Sequence, residues 1–529
     1  MELICVLVML IMWAIRGTIM VFFGKVVVSW WILPILAHKN LKRNGFEGPS
    51  PTFPLGNITE MKKIIKAAAA INGGSSLASS NNLSHDIHST IFPHFAQWQN
   101  SYGKKFVYWL GTEPFLYIAD PQLVKKISEA VMGKSWGKPA VFRNDREPMF
   151  GDGLVMTEGD DWIRHRHILT PAFNPTNLKA MTKFMLESTT KMVKEWRSLV
   201  NSGQSEIDVE REITATAGDI IAKASFGISS GGGGEEALNS LRALQLTLFS
   251  NSSYVGVPFS SLFLYPGRTL AAKRLGAQID RLFFSIISHR KLISSGSDSD
   301  SDLLSRLIQS QSNKYKGGAA LTPREVVDEC KTFFFGGHET TALAISWTLL
   351  LLATRPEWQK ILREEIKEVI GDKDIDFSML SALKKMGWVW NEVLRLYPSA
   401  PNIQRQAKGD IDLGDMKIPK GTNIWIDIVA MHHDPTLWGD DVNEFKPERF
   451  QHDTIHGGCN HKMGYLPFGF GGRMCIGRNL SSTEYKIVLT LILSTFSLSL
   501  SPSYSHSPAI LLSLRPTHGI PLILTPLHP

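Results

Sequence analysis

The chain has 529 residues, 43% hydrophobic and 20% charged, which suits a large folded core and not a disordered chain. Its net charge of +7 and pI near 9.0 favour an anionic membrane, a nucleic acid or an acidic protein partner. No zinc-finger pattern, RNA-binding signature or dense basic helix accompanies that charge, so the nucleic-acid reading is set aside. The cysteines (Cys5, Cys330, Cys459 and Cys475) are few and irregularly spaced, which argues against a disulfide framework and for a reducing compartment. No repeat is evident and no long linker follows residue 60, so one large, mainly helical unit is expected.

Residues 3–36 are mostly apolar, interrupted by Arg16 and Lys25. About 20 apolar residues span a bilayer, and a charge near a span's end can snorkel. With no small-residue cleavage site evident, residues 1–36 read as a retained membrane anchor. His38, Lys39, Lys42 and Arg43 follow, which places the bulk of the chain on the cytosolic side. Residues 37–60 are a basic, proline-rich hinge that Gly48-Pro49-Ser50-Pro51 makes stiff and extended, and 61–529 form the main domain. Ala67 to Ser84 is a low-complexity surface loop. Phe106 to Ala119 alternates like a strand hairpin around Gly111 to Pro114, and Asp120-Pro121 opens a helix through about Ala130.

Lys134 to Gly159 reads as a long irregular loop, of a kind that is often functional. Trp162 and Arg166, four apart in a helical segment, share a face, where an indole N–H and a guanidinium suit carboxylates. His165 and His167 beside them read as surface or packing histidines. Met181 to Val200 and Ile213 to Ser225 are amphipathic helices, Gly231 to Gly234 is a break, and Ser294 to Asp302 is a solvated loop.

Thr322, Pro323 and Glu325 write a capping box with proline in the first turn, so a helix runs from there to about Ala353. Midway lies Gly336-Gly337-His338-Glu339-Thr340-Thr341. Two interior glycines cost about 1–2 kcal/mol, which points to something approaching the backbone beside Glu339 and Thr340. Glu392 and Arg395 share a helix face amid apolar neighbours, and Arg449 of Pro447-Glu448-Arg449-Phe450 can complete a buried network of structural role. Asp410 to Trp425 alternates like a strand with a Lys420-Gly421 turn, and residues 508–524 read as a terminal hairpin turning at Pro516 to Gly519.

Phe468-Gly-Phe-Gly-Gly-Arg-Met-Cys-Ile-Gly477 is the most informative stretch. Its glycines admit close approach by something flat or bulky. A helical pattern follows from Ile476 to Leu498, which puts Cys475 at or before a helix N-terminus. The helix dipole and Arg473 are expected to lower the thiol's pKa, making a thiolate nucleophile or metal ligand available. Two alternatives stand beside this: a Gly-rich turn with a buried structural cysteine, and a zinc site in which Cys475 joins His456, Cys459 and His461.

Read as F-x-x-G-x-R-x-C-x-G, with Phe468, Arg473 and Cys475 at fixed positions, the stretch resembles the haem loop of the cytochromes P450, whose cysteine thiolate ligates haem iron. W-x-x-x-R at Trp162 and Arg166, G-G-x-E-T-T, E-x-x-R and P-E-R-F precede it in that family's order. The resemblance implies the mainly α cytochrome P450 fold with a small β lobe, preceded by the N-terminal transmembrane anchor. It implies haem b on Cys475, propionates held by Trp162, Arg166 and Arg405, and proton delivery by Glu339 and Thr340. It further implies a monooxygenase that inserts one oxygen atom from O2 into a small lipophilic substrate. With no flavin or nicotinamide fingerprint in the chain, electrons are expected from NADPH through the separate NADPH-cytochrome P450 reductase at the endoplasmic reticulum membrane. Gly48-Pro49-x-Pro51, Glu329 to Phe335 and Leu437-Trp438-Gly439 are similar to the plant branch that includes cytokinin hydroxylases and gibberellin oxidases, so a hormone or other isoprenoid substrate is expected. Residues 134–156, 334–338 and 399–403 are the expected substrate-facing segments. A haem protein that binds or senses without turnover is the alternative, against which an intact Glu339-Thr340 pair argues.

Overall fold

A computed structural model describes residues 2–73, 83–131, 136–228, 233–249, 255–260, 266–293, 302–311 and 320–527. Half of the loop expected at 67–84, part of the break at 231–234 and nearly all of the run at 294–302 lie outside the described residues, and the described 67–73 is not loop but the end of the helix Ile58–Gly73.

The N-terminal helix Glu2–Val27 continues through a π turn, Val28–Ile32, into Leu33–Arg43. Its stretch Met9–Arg43 is long and apolar enough to cross a membrane. Leu41 and Phe46 are the first apolar side chains buried in the main body. The proline segment is extended and fastened to the sheet edge: the Val107 N–H donates to the Glu47 carbonyl at 2.8 Å, and the Asn57 N–H to the Trp109 carbonyl at 2.9 Å.

Two apolar cores lie side by side. The smaller packs on a five-stranded sheet with strand order Lys105–Leu110, Glu113–Ile118, Asn423–Asp427, Asn402–Ala407, Trp136–Gly137. The expected hairpin is its first pair, with Leu110 opposite Glu113. The larger core is helical and surrounds Pro323–Ala353, which begins with the expected capping box. Buried Trp347 of this helix stacks on Tyr397 at 4.4 Å. Helices Pro175–Asn201, Val209–Phe226, Lys384–Leu396 and Arg478–Thr495 complete the layer around it.

Two expectations about local structure are corrected. Residues 134–159 are not all irregular: Trp136–Gly137 is a strand and Arg143–Phe150 a helix, ended at Gly151 with φ +48°. The terminal hairpin turns elsewhere. Pro508–Leu511 pairs with Ser513–Pro516 about Leu512, at φ +72°, a region that leucine rarely adopts and that no residue type announced. Pro521–Pro526 instead lies between Glu206–Asp208 and Phe496–Leu500, so Pro516 to Gly519 joins two sheets.

The Glu392 network is as the sequence implied. Arg395 Nε and Nη2 each donate to a Glu392 carboxylate oxygen at 2.7 Å, and both side chains are 0% exposed. Arg449 Nε lies 3.6 Å from Glu392, and the remaining Arg395 protons go to the His432, Val442 and Glu444 carbonyls. A buried pair needs these further partners. Trp390 and Leu394 of the same helix line the central cavity, so the network braces the wall of the site from behind.

Candidate active site

Phe468 to Gly477 folds as a tied loop: the Cys475 N–H donates to the Phe468 carbonyl at 2.9 Å. Gly471 takes φ +63°, and Gly472 lies under Trp162, where a Cβ would meet the ring at 3.4 Å. The helix Arg478–Thr495 starts just beyond, with Gly477 at its N-cap. Cys475 thus precedes a helix N-terminus as expected, and it lines a cavity of about 800 Å³ between the two cores.

The expected electrostatics at the sulfur need correction. Burial pushes the Cys475 thiol up, and the Gly477 N–H, Arg166 and Arg478 oppose this without overcoming it. Arg473 is turned elsewhere: it donates to the Thr157 carbonyl at 2.9 Å and its guanidinium lies 4.7 Å from the Trp162 ring centre. The chain's own charges therefore do not lower this thiol. A bound metal ion deprotonates a thiol outright and supplies what burial removes.

Opposite the loop runs the middle of Pro323–Ala353. Gly336, Gly337, Thr340 and Thr341 line the cavity. A Cβ on Gly336 would meet nothing within 4 Å, whereas one on Gly337 would meet Ile221 Cδ1 at 2.5 Å. The costly glycine pair therefore serves two neighbours, an open cavity and a packed helix. Thr340 Oγ1 donates to the Gly336 carbonyl at 2.8 Å, and the Thr340 carbonyl accepts from Ser399 Oγ at 2.8 Å.

Glu339 is not on the cavity wall. It is buried, and its Oε1 accepts from Gln245 Nε2 at 2.9 Å and Ser513 Oγ at 2.6 Å, with Arg515 Nη1 at 3.5 Å. Burial alone would raise this carboxyl, but Arg515, His338, Gln245 and Ser513 hold it below the usual value. Ser513 does line the cavity, so a hydroxyl absent from the sequence reading connects the acid to the site.

Cations gather at one end of the cavity. Trp162, Arg166, Arg405, Phe468 and Arg473 all line it, as do Lys138 and Arg146, which no motif singled out. Among the described residues no carboxylate forms an ion pair with Lys138, Arg146, Arg166, Arg405 or Arg473. Arg405 is buried, its Nε has no partner, and burial and then Arg473 push it down to about 9. Lys138 is held well below its ordinary value by burial and by Arg405, Arg473 and Arg146. A buried cation without a partner is expensive, so this end is built for an anionic group. A haem fits: its macrocycle suits an apolar cavity, its propionates the unpaired cations, and its iron the cavity-facing sulfur.

The substrate-facing expectation holds in part. Phe335, Gly336 and Gly337 line the cavity, whereas Phe334 packs outward on Phe226 and Phe283. Ser399, Asn402 and Ile403 line it too. His165 is no surface histidine: it is buried, with Nδ1 2.5 Å from Glu329 and Nε2 3.3 Å from Glu325. The zinc alternative is overturned, because among the described residues no three His, Cys, Asp or Glu side chains assemble as a metal site. His461 Nδ1 instead accepts the Met463 N–H at 3.1 Å.

A cysteine over an apolar cavity, faced by a hydroxyl-bearing helix and rimmed by unpaired cations, is the arrangement of a haem-thiolate oxygenase. Residues 80–519 match the family Cytochrome P450, and the chain belongs to that family and is a cytochrome P450 monooxygenase. It is 35% identical over 518 residues to a cytokinin hydroxylase of Arabidopsis thaliana, covering 96% of this chain and 97% of the relative. It is 36% identical over 508 residues to cytochrome P450 714C2 of Oryza sativa subsp. japonica, covering 95% of each. Cytochrome P450 709B1 of Arabidopsis thaliana is also 36% identical, over 519 residues and 96% of each chain.

Proposed function

We propose that this chain hydroxylates a small lipophilic compound, with haem b that the Cys475 thiolate would hold by its iron. The observation that carries this reading is the cavity itself, with the Cys475 sulfur on one wall and Thr340 on another. Trp162, Arg166, Arg405 and Arg473 would hold the propionates and orient the macrocycle, and Phe468 would close its cysteine side. When bound, haem supplies the activation of O2 and the transfer of one oxygen atom to substrate.

The chain's own residues hold and move the protons. Thr340 Oγ1 carries a proton at the cavity wall, parked on the Gly336 carbonyl. Glu339 is held as a carboxylate and accepts from Ser513, so a proton that it takes up from solvent would pass to the cavity through the Ser513 hydroxyl. The aromatic walls exclude water, which keeps oxygen activation from being spent without product. This division of labour favours turnover over a purely sensory haem protein.

Electrons come in this reading from NADPH through NADPH-cytochrome P450 reductase, whose acidic face suits a basic chain. Residues 1–36 anchor it in the endoplasmic reticulum membrane, 37–60 connect, and 61–529 form the cytosolic catalytic domain. The cytokinin hydroxylase among the relatives makes a cytokinin the first substrate to screen, and the motifs shared with the wider plant branch add a gibberellin or other isoprenoid.

The test is the visible spectrum of the reduced, carbon monoxide-bound protein beside Cys475→His. A strongly red-shifted haem band that the substitution abolishes is expected. An imidazole-like band from the unaltered protein would remove Cys475 as ligand. With reductase added, Thr340→Ala and Ser513→Ala should each lower product formed per NADPH while leaving that band intact.

A further inference from the structure

Arg146 is a cation of the cavity wall that no motif accounts for. It comes from the helix Arg143–Phe150, and its guanidinium lies 4.3 Å from the Phe142 ring centre. Its Nη2 donates to Gln404 Oε1 at 2.7 Å, while its buried Nε has no partner. Both Arg146 and Gln404 line the cavity. Arg405, Arg473 and Arg146 all act on Lys138, so Arg146 adds to the cation cluster by the cysteine loop, where Arg473 lies over Trp162. The charge that acts on Arg146 is Asp145, a neighbour on its own helix. Asp145 is itself raised by burial, against Arg268 and Arg146, and does not form an ion pair with Arg146.

Charge balance points the same way. Lys138, Arg146, Arg166, Arg405 and Arg473 face this end of the cavity. The carboxylates acting on them are Glu158 and Asp145. Glu158 is already taken by Lys408 at 3.0 Å and by the Lys138 N–H. The propionate pair of a haem leaves cation in excess, and Arg146 is the one carried on the same helix as Phe150. Phe150, one turn further along its helix, meets Phe335 of the long helix with ring centres 5.5 Å apart. An anion reaching Arg146 would therefore have its apolar body against Phe150 and Phe335, which also line the cavity.

We propose that Arg146 seats a carboxylate of the substrate, so that this enzyme selects lipophilic carboxylic acids over their neutral counterparts. This rests on the reading of the cavity as a substrate site and narrows its substrate class. A guanidinium with a free Nε edge and a second donor is geometrically suited to a carboxylate, and the pairing is strong where water is excluded. Gln404 holds the guanidinium in place until the ligand arrives.

The test is calorimetric titration of the purified holoprotein with dodecanoic acid and abietic acid, each beside its methyl ester. The unaltered protein should bind at least one acid about ten-fold or more tightly than its ester, as a single buried charge-assisted pair allows. Arg146→Gln should erase that preference while ester binding and haem content stay the same. Arg146→Lys should keep part of it, because the charge remains but the fork is lost. Equal binding of acid and ester by the unaltered protein, or no binding of either acid, would overturn the proposal. So would a preference that survives Arg146→Gln, or a loss of haem in that variant, which would put Arg146 on a propionate. Calorimetry needs no haem signal, so a failure here is distinct from failure of the haem-thiolate reading, which shows as a missing Cys475-dependent carbon monoxide band.

Discussion

Arg405 is folded into a position that only a ligand justifies. Its guanidinium is buried, its Nε lacks a partner, and the charge that acts on it is a second arginine, Arg473. Removing a buried, unpaired charge relieves a desolvation penalty of several kcal/mol. Arg405→Met should therefore raise the melting temperature of haem-free protein and lower haem retention in the same protein. The pair of signs is the prediction: haem-to-protein ratio after dialysis falls, and the apoprotein melt rises. A substitution that destabilised both states alike would mean Arg405 is an ordinary structural residue. The place of Cys475, Trp162, Arg166, Arg405 and Arg473 on the cavity wall was legible in the sequence because motifs with fixed spacing carry them. Lys138 and Arg146 were not, because nothing in a loop's composition says which of its cations will face inward. His165 was misjudged for a related reason: its partners Glu325 and Glu329 lie about 160 residues away.

The long helix shows what an element adds to its residues. Its start was readable to the residue, since Thr322 accepts the Glu325 N–H at 3.2 Å and Glu325 Oε2 accepts the Thr322 N–H at 2.7 Å. Its two glycines looked alike in the sequence, yet they face different neighbours. Gly337→Ala should destabilise by about 1–3 kcal/mol through overpacking on Ile221. Ile221→Val, which removes the clashing Cδ1, should recover much of that loss in the double variant. Gly336→Ala meets open space and should stabilise by up to about 1 kcal/mol through helix propensity, while narrowing the cavity. Equal melting shifts for the two single variants would sink this distinction. The terminal hairpin, by contrast, was misplaced because its turn rests on the left-handed Leu512 instead of a glycine or asparagine.

The capping carboxylate also gives the helix a pH dependence. Glu325 is lowered to about 2, burial being outweighed by Arg164, Thr322 and His165. A depressed carboxyl stabilises the fold above its unfolded pKa and loses that contribution as pH falls through its folded one. The window runs from about 4.5 down to about 2. The melting-temperature gap between the unaltered protein and Glu325→Gln should be widest near neutral pH and close as pH drops through that window. A gap that stays constant would mean the carboxylate charge contributes nothing to stability.

At the scale of the molecule, the long N-terminal helix and the main body meet over a short stretch, and the sequence did not show where. The apolar run was read to residue 36, but the helical path continues to Arg43, with Pro34 and Leu41 buried. Val28, Trp31, Ile32, Leu33 and Leu36 are exposed, and Trp30 touches Phe259 with ring centres 6.2 Å apart. An exposed apolar patch of this kind, flanked by Lys39, Lys42 and Arg43, suits the surface of a bilayer as well as its interior. Deleting residues 2–27 should therefore convert an integral protein into a peripheral one, not a freely soluble one. In membrane fractionation the shortened chain should resist low-salt washing, come off in alkaline carbonate, and keep its carbon monoxide band, because the buried contacts of Leu41 and Phe46 remain. Adding Ile32→Ser, Leu33→Ser and Leu36→Ser should then release it into the supernatant. If the deletion alone sends all of the folded protein into the low-salt supernatant, the segment 28–43 has no membrane affinity of its own and the exposed residues are incidental.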